Sequence, residues 1–311
     1  VALYLRNSAE YVIADLAILK LGAVKVPLNE YQSLSDVVHI LNETSAQAVI
    51  AHQSLLVALG EGLQDQCEIS LMVTVPDATE TEPAGDFHRW QELSTNGPDF
   101  TPAVVKADDI AMIAYTGGTT GAPKGVVHTQ QGLAINLFAH IIAGEISAND
   151  TMLLLTPLPH SAGYHMQACM LQGGQVVLSE KFDPAVFYAY VAQHKVTWTF
   201  LVPTMIYRLL DHPEKNDHST LRTIVYGAAP MSTARLEHAI EQFGHAFIQL
   251  YGQTECPNFI TALTKNDHRT TSLHGACGQA VPFVEVATRG ENGSGLGEVM
   301  VRSPYLLKEY Y

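Results

Sequence analysis

The alternation of short apolar runs with amphipathic stretches constrains the fold of this chain more than any other feature of its sequence. Runs such as Leu71–Val75, Ile110–Tyr115 and Trp198–Leu201 have the length and composition of buried strands. Stretches with helical periodicity, such as Ala9–Leu21 and Thr233–Phe243, lie between such runs. This rhythm predicts an α/β fold with mainly parallel sheets covered by helices on both faces.

The same criteria locate the remaining elements. Further strands are predicted at Val1–Leu5, Ala23–Val26, Ala48–Ala51, Met152–Leu155, Val176–Leu178, Leu221–Tyr226 and Ala246–Leu250. Further helices are predicted from a Ser35 cap through Leu41, over Gln131–Ala143, and onward from Gly163 and from Pro184. The polar stretch Pro76–Pro102 is interpreted as a surface excursion. From about Thr270 the Gly- and Val-rich texture predicts a small, mainly β subdomain.

Composition excludes several classes of protein. The 311 residues are 47% hydrophobic and 15% charged, which is typical of a globular chain. A net charge of −14 without any Lys/Arg-rich run argues against nucleic acid or anionic membranes as partners. No apolar run has the length of a transmembrane segment. Four scattered cysteines without zinc spacing favour a reduced, cytoplasmic protein, and the spacing of His160 and His165 indicates no metal site.

The segment Tyr115-Thr-Gly-Gly-Thr-Thr-Gly-Ala-Pro-Lys124-Gly125 is the sharpest local motif. Glycines let a backbone turn tightly and present N–H groups to anionic oxygens, and hydroxyls and a lysine add donors and a cation. The motif is not the common nucleotide-binding P-loop, because Pro123 precedes Lys124 and Gly125 follows it. We predict a phosphate-binding loop, and a plain Gly/Thr-rich turn is the alternative.

This motif resembles Y-T-S-G-T-T-G-x-P-K-G of the adenylate-forming (AMP-binding) superfamily, with Gly117 in place of the usual serine. Further segments match the superfamily in the same order: Pro157-Leu-Pro-His160, Val202-Pro-Thr-Met205, Tyr226-Gly-Ala-Ala-Pro230, Tyr251-Gly-Gln-Thr-Glu255, Gly275–Pro282 and Gly297–Pro304. Pro159 and Ala280 are departures from the pattern. The resemblance spans essentially the whole chain and is closest to acyl-CoA synthetases.

The resemblance implies an architecture of two helix-flanked sheets packed together, part of a small β-barrel, and no C-terminal lobe. The expected subdomains are residues 1–145, 146–265 and 266–311. The superfamily's T-G-D motif and its lysine-bearing lobe have no counterpart here, and the chain does not begin with Met. We therefore expect a fragment of a longer protein, with weak or absent activity on its own.

The resemblance also implies the site residues for ATP, Mg²⁺, coenzyme A and a carboxylic acid. Lys124, Thr254, Glu255 and His160 are the expected catalytic residues, Glu255 as the Mg²⁺ ligand and His160 beside the acyl pocket with Tyr164 and Met205. The expected nucleotide-binding set adds Thr116, Gly117, Gly118, Thr119, Thr120, Gly121, Gly227, Ala228, Ala229, Pro230, Tyr251 and Gly252.

Three functions fit this pattern. The first is an acyl-CoA synthetase. The second is an adenylation domain that loads a carrier-protein thiol; Ser161–Met166 holds no acid to bind a substrate amino group, which favours the first. The third is a catalytically silent fragment that binds a nucleotide or an acyl group. The chain length of the acid and the oligomeric state cannot be predicted from the sequence.

Overall fold

The computed structural model describes residues 1–59, 62–77, 87–93, 100–116, 123–214, 217–290 and 296–311. Its contacts divide the chain into two compact units. The first unit comprises Val1–Gln131 with Leu307–Tyr311, and the second comprises Gly132–Leu306. The division into three subdomains at residues 145 and 265 stays a prediction, whereas the α/β class with mainly parallel sheets is confirmed.

The strands and helices are numbered in chain order. The strands are β1 Ala2–Tyr4, β2 Val26–Pro27, β3 Ala48–His52, β4 Leu71–Val75, β5 His88–Arg89, β6 Ile110–Tyr115, β7 Gly125–Thr129, β8 Thr151–Leu154, β9 Gln175–Leu178, β10 Trp198–Leu201, β11 Thr223–Tyr226, β12 Phe247–Gln253, β13 Cys256–Leu263, β14 Gln279–Ala280, β15 Glu285–Arg289 and β16 Glu298–Arg302. The α-helices are α1 Ala9–Lys20, α2 Leu34–Glu43, α3 Gln53–Leu59, α4 Gly62–Gln66, α5 Trp90–Leu93, α6 Gln130–Ala143, α7 Gly163–Gln172, α8 Pro184–His194, α9 Pro203–Asp211 and α10 Thr233–Phe243.

The first unit is built on a parallel sheet of order β2-β1-β3-β4-β5. Apolar side chains of β1, β3 and β4 pack with those of α2 into one buried cluster. The separate antiparallel hairpin β6–β7 contributes Ile113, Tyr115 and Val127 to this cluster. The described part of Pro76–Pro102, predicted as a surface excursion, contains β5 and the short helix α5.

The second unit is built on a seven-stranded sheet of order β14-β13-β12-β11-β10-β8-β9. The five strands from β9 to β12 are parallel, β13 is antiparallel to β12, and β14 is antiparallel to β13. The apolar strands β10 and β11 are buried along their whole length, as expected for parallel strands covered on both faces. Helices α8, α9 and α10 supply half of the buried cluster that packs on this sheet, including Phe187, Leu209 and Leu236.

Capping residues explain where several helices begin. Ser8 accepts a hydrogen bond from the Tyr11 backbone and starts α1, and Asp183 accepts two at the start of α8, where Pro184 is the first helical residue. The predicted Ser35 cap of α2 is wrong. Ser33 begins this helix because it forms a reciprocal capping box with Asp36, which places Ser35 inside the first turn.

The described residues that follow Thr270 form no closed barrel. β14 extends the seven-stranded sheet, while β15 and β16 pair only with each other. The predicted mainly β character of this stretch is therefore observed as an extension of the large sheet and a separate two-stranded ribbon. Among the described residues, no helix has both the length and the hydropathy needed to cross a membrane.

Candidate active site

The predicted site segments of the second unit all follow the carboxyl ends of its parallel strands. Four neighbouring parallel strands, β8, β10, β11 and β12, have their carboxyl ends on this side of the sheet. The segments that follow them are Leu155–His160, Val202–Met205, Gly227–Pro230 and Thr254–Glu255. After β8 the chain forms β9 on one side of this strand, and it then crosses over to form β10 on the other side. The sheet therefore has a topological switch point between β8 and β10. Crevices at such points are where open α/β sheets bind ligands.

Thr254 and Glu255 are the two central residues of the hairpin turn between β12 and β13. Gln253 pairs with Cys256, so the connection contains no other residue. The strand predicted to end at Leu250 continues through Tyr251 and Gly252 to Gln253. Both turn residues are partly exposed. A tight hairpin therefore holds a hydroxyl and a carboxylate next to each other at the end of β12.

A close backbone contact fixes this hairpin. The ladder between β12 and β13 is irregular between Tyr251 and Gln253. A side chain at Gly252 would bring its Cβ within 2.4 Å of the Asn258 carbonyl oxygen. Asn258 itself adopts φ 61°, a left-handed conformation that asparagine tolerates better than most residues. Gly252 is therefore required for packing, independently of any contact with a nucleotide.

The segment Gly227–Pro230 follows β11 as a bend before α10. Gly227 is buried, and a Cβ there would lie 2.5 Å from the Leu250 carbonyl oxygen of the neighbouring strand. Ala228 has φ 64°, which costs an L-residue about 1 kcal/mol or more. Ala228, Ala229 and Pro230 are exposed. The bend thus presents backbone flanked by small side chains, a surface that a flat ring can approach closely.

His160 lies on a sharp irregular turn after β8. Leu158–Ala162 forms one π-helical turn, and His160 interrupts it with φ −115° and ψ −146°. Its side chain is exposed at the surface, but the protein around the ring displaces water and lowers its pKa. A neutral imidazole at pH 7 suits the wall of a pocket better than a cation that pairs with a carboxylate.

The two predicted companions of His160 lie on different helices. Tyr164 in α7 stacks on the ring of His140 with centroids 5.7 Å apart. Met205 in α9 is partly buried against the core of the second unit. Neither position is assigned to a ligand by the geometry, so their acyl-binding role stays a prediction.

The predicted phosphate loop connects β6 and β7 in the first unit. Tyr115 pairs with Gly125, and the Thr116 N–H donates to the Lys124 carbonyl at 3.1 Å, which closes the base of the loop. Gly117, Gly118, Thr119, Thr120 and Gly121 lie outside the described residues. The Lys124 ammonium lies 5.7 Å from the centroid of the Tyr310 ring. This distance is within the range of a cation–π interaction.

The base of this loop is also tied to α2. The buried Tyr115 hydroxyl donates to the Glu43 carboxylate at the end of that helix. Burial, and next the hydrogen bond to Glu43, raise the pKa of Tyr115 far above its usual value, so the phenol remains a donor. The phosphate loop and the Thr254–Glu255 turn belong to different units, so their predicted approach around one nucleotide stays a prediction.

No cluster of three or more metal-ligating side chains occurs in the described parts of the chain. Glu255 therefore belongs to no such cluster among the described residues. Mg²⁺ commonly binds one or two carboxylates together with substrate phosphates and water. A partly exposed glutamate at this turn therefore fits a Mg²⁺ ion that arrives with a nucleotide.

A buried polar network near these strand ends was not predicted from the sequence. Asn258 and His140 are 6% and 0% exposed and hydrogen-bond to each other. The available signal was weak: an asparagine after a proline within the apolar run Cys256–Leu263, and a histidine on the helix Gln130–Ala143. Their partners lie far along the chain and could not be read from local pattern.

Comparison with known proteins decides the family. The profile of the family described as AMP-binding enzyme matches residues 1–311. The chain belongs to this family. The predicted resemblance to adenylate-forming enzymes is therefore confirmed, although the role of each site residue is not tested by it.

The chain is similar in sequence and in fold to several acyl-CoA ligases and to an amide bond synthetase. The medium/long-chain-fatty-acid–CoA ligase FadD8 of Mycobacterium tuberculosis is 34% identical over 307 residues, which cover 93% of this chain and 52% of that protein. The inhibitor-bound N-terminal domain of FACL13 from Mycobacterium tuberculosis has a TM-score of 0.82 at 28% identity, over 99% of this chain and 77% of that one. The amide bond synthetase McbA from Marinactinospora thermotolerans has a TM-score of 0.85 at 28% identity, over 99% of this chain and 62% of that one. The chain spans about half to just under two thirds of the length of the curated relatives it matches.

Proposed function

We propose that this chain is the nucleotide- and acyl-binding part of an AMP-forming acyl-CoA synthetase. One observation carries the proposal: three family motifs follow the carboxyl ends of parallel strands β8, β11 and β12 on the same side of the seven-stranded sheet. These are the His160 turn, the Gly227–Pro230 bend and the Thr254–Glu255 hairpin. An acyl site and a nucleotide site at a common edge suit a reaction that joins the two ligands.

The proposed reaction has two steps. In the first, a carboxylate oxygen attacks the α-phosphorus of ATP, and pyrophosphate leaves as the acyl-AMP forms. In the second, the thiol of coenzyme A attacks the acyl carbon, AMP leaves, and the thiol proton passes to solvent. The protein contributes to the first step mainly by alignment and by neutralising charge on the phosphates.

The residues divide this work according to their chemistry. Thr116, the glycines and threonines up to Gly121, and Lys124 would contact the β- and γ-phosphates. The Gly227–Pro230 backbone and the Tyr251 ring would hold adenine, and the Thr254 hydroxyl would donate to the α-phosphate. Glu255 would hold Mg²⁺, which supplies positive charge to the phosphates when bound. His160 would border the reacting carboxylate.

The acid is proposed to lack an amino group. The described turn and helix from Leu158 to Gln172 contain no Asp or Glu that could bind an ammonium. FadD8 acts, by its name, on medium- and long-chain fatty acids. A carrier-protein thiol in place of coenzyme A is the second candidate acceptor, and a silent binding fragment is the third function. All four cysteines are free thiols, which supports the proposed cytoplasmic location.

Pyrophosphate–ATP exchange tests the first step. The chain and any longer protein that contains it would be assayed with a series of straight-chain and aromatic acids. We expect acid-dependent exchange that Glu255→Ala reduces more than 100-fold and Glu255→Asp reduces less, because the shorter carboxylate retains an oxygen ligand. Unchanged exchange in Glu255→Ala would reject the metal role.

Mass spectrometry of the thioester product tests the second step. Coenzyme A and a carrier protein bearing a phosphopantetheine thiol would be offered in competition. Formation of acyl-CoA supports the synthetase, and acylation of the carrier protein alone supports the second candidate. A chain that binds ATP but exchanges no pyrophosphate with any acid, alone or within a longer protein, would support the silent fragment.

A further inference from the structure

We infer that Asn258 is a positioning residue that holds the turn carrying His160 to the hairpin carrying Thr254 and Glu255. Its consequence for catalysis rests on the proposed function, while the linkage itself does not. Asn258 lies in β13, three positions after Glu255, and Ser161 directly follows His160. One buried side chain therefore lies between the proposed acyl site and the proposed α-phosphate and metal site.

The left-handed backbone at position 258 does not by itself explain why this residue is an asparagine. Its φ of 61° is left-handed and places its carbonyl against Gly252. Glycine would adopt this conformation more easily than asparagine. The side chain must therefore contribute something that glycine cannot supply.

The side-chain amide uses both of its hydrogens. Nδ2 lies 2.8 Å from His140 Nε2 and 3.1 Å from the Ser161 carbonyl oxygen. Because a carbonyl only accepts, the amide nitrogen rather than its oxygen faces Ser161. The hydrogen bond to Ser161 attaches the irregular turn Leu158–Ala162 directly to β13.

His140 is held in the form that accepts from Asn258. Its Nδ1 lies 2.8 Å from the Asn136 carbonyl, so Nδ1 carries the hydrogen and Nε2 presents its lone pair. Burial is the main cause that lowers the pKa of His140 to about 4, and the neighbouring His165, 4.9 Å away between ring centroids, has a pKa that burial also lowers. The ring is therefore neutral at pH 7.

A second hydrogen bond completes the connection between α6 and β13. Asn136 Nδ2 donates to the Pro257 carbonyl oxygen at 2.9 Å. Adjacent residues of β13, Pro257 and Asn258, thus bind residues one helical turn apart in α6. This double attachment makes β13 a fixed support from which the Asn258 amide holds the Ser161 turn.

Two substitutions separate the side chain from the backbone. Asn258→Gly keeps the left-handed conformation and removes the amide. Asn258→Asp keeps the size but replaces the donor with an oxygen that can donate to neither Ser161 nor a neutral His140. Hydrogen–deuterium exchange of the chain without ligands then reports on the peptides that contain Leu158–Ala162 and Tyr251–Asn258, with α10 as an internal reference.

In both variants we expect amide exchange at Leu158–Ala162 to accelerate at least tenfold while α10 is unchanged. In Asn258→Asp, nitrogen NMR of the His140 ring should show its titration shifted toward neutral pH, because the new carboxylate favours the imidazolium. An unchanged exchange rate at Leu158–Ala162 in folded Asn258→Gly overturns the inference. If either variant fails to fold, the exchange and NMR results of the other decide.

Kinetics connect this linkage to the proposed reaction. With dodecanoate as the acid, we expect Asn258→Gly to reduce kcat of pyrophosphate exchange roughly 100-fold, the effect of about 1 Å of misalignment, with a smaller change in the KM for ATP. A normal kcat of pyrophosphate exchange, combined with accelerated hydrogen–deuterium exchange at Leu158–Ala162, would overturn the catalytic role. Absence of pyrophosphate exchange in the unmodified protein would reject the proposed function instead. The hydrogen–deuterium exchange result would still decide whether Asn258 links the two segments.

Discussion

Two hairpins carry the proposed nucleotide-binding residues, and they obtain their geometry differently. In β6–β7, residues 116–124 connect the last pair, Tyr115 and Gly125. In β12–β13, only Thr254 and Glu255 connect the last pair, Gln253 and Cys256. The first connection is long enough for many backbone N–H groups to converge on one ligand. The second connection contains only two residues, so the Thr254 hydroxyl and the Glu255 carboxylate are its main groups for binding a ligand.

The supports of the two hairpins differ in the same way. Side chains hold the base of the first, through the Tyr115–Glu43 hydrogen bond and the contact of Lys124 with Tyr310. Close backbone packing holds the second, where Gly252 lies against Asn258. The shorter connection is thus the one with the closest backbone approach at its base, and the longer one relies more on side-chain contacts.

The sharpest test of this comparison is Gly252→Ala. Its Cβ would meet the Asn258 backbone at 2.4 Å, and backbone atoms cannot rotate away as side chains do. We expect a loss of about 3 kcal/mol in the free energy of unfolding, at the upper end for overpacking. Urea denaturation measures this loss. Gly275→Ala is the matched control, since no atom lies within 4 Å of its added Cβ, and equal stability of the two variants would contradict the packing argument.

The pH dependence of stability tests the buried support of the second hairpin. The pKa of His140 is about 4 in the folded protein, against 6.5 for an ordinary histidine, so the unfolded chain binds more protons between these values. Stability is therefore fully present above pH 6.5 and falls as the pH decreases toward 4. From pH 7 to pH 5 we expect this group to remove about 2 kcal/mol of stability.

Urea denaturation of the unmodified chain and of His140→Asn, from pH 7 to pH 5, isolates this effect. The slope attributed to His140 should disappear in the variant, while the buried His165 continues to contribute in the same direction. His238→Asn, at an exposed site of α10, controls for the loss of one histidine. Identical slopes in all three proteins would show that His140 is not the source.

Tyr115→Phe tests the side-chain support of the first hairpin. It removes the hydrogen bond to Glu43, whose side chain is 35% exposed and therefore remains hydrated. We expect a loss of about 1 kcal/mol in the free energy of unfolding. Tyr31→Phe, at a tyrosine that is 78% exposed in the same unit, should have little effect. A loss as large as that of Gly252→Ala would remove the distinction between the two supports.

Tyr310→Leu gives the smallest expected effect. Loss of the aromatic face should remove about 0.5 kcal/mol or more of cation–π attraction at this exposed site. The Lys124 amine should then react about twofold faster with trinitrobenzenesulfonate, as measured by peptide mass spectrometry. Tyr310→Phe retains the ring and should react like the unmodified chain. Faster labelling in Tyr310→Phe as well would assign the effect to the hydroxyl.

The fold could be predicted where apolar runs have clear ends. Leu71–Val75, Ile110–Tyr115 and Trp198–Leu201 are observed with the predicted bounds, as is helix Thr233–Phe243. Strand β13 was missed because Pro257 and Asn258 interrupt its apolar pattern near the start. Helix α9 lies outside the predicted elements because Val202–Met205 matches a family motif and its helical start is marked only by Pro203, a typical first helical residue.

The candidate site divides along the same line. Short motifs with a characteristic order point to Lys124, His160, Thr254 and Glu255 as candidate site residues, and their roles stay predictions. The Asn258 contacts join residues that lie 118 and 97 positions apart in the sequence, so no local pattern records them. The left-handed backbone of Asn258 was equally hidden, because it depends on the neighbouring strand.

The strand pairing of residues 308–311 has a consequence for biosynthesis. Lys308 and Tyr311 donate backbone hydrogen bonds to Val127 and Gly125 of β7, so the first unit is not complete until Leu307–Tyr311 has been made. A ribosome adds about 5–20 residues per second, which leaves β7 without this neighbour for some ten seconds or more while the intervening residues emerge. During that interval β7 offers an open edge to other nascent chains, and chaperone contact at this stage would favour correct assembly.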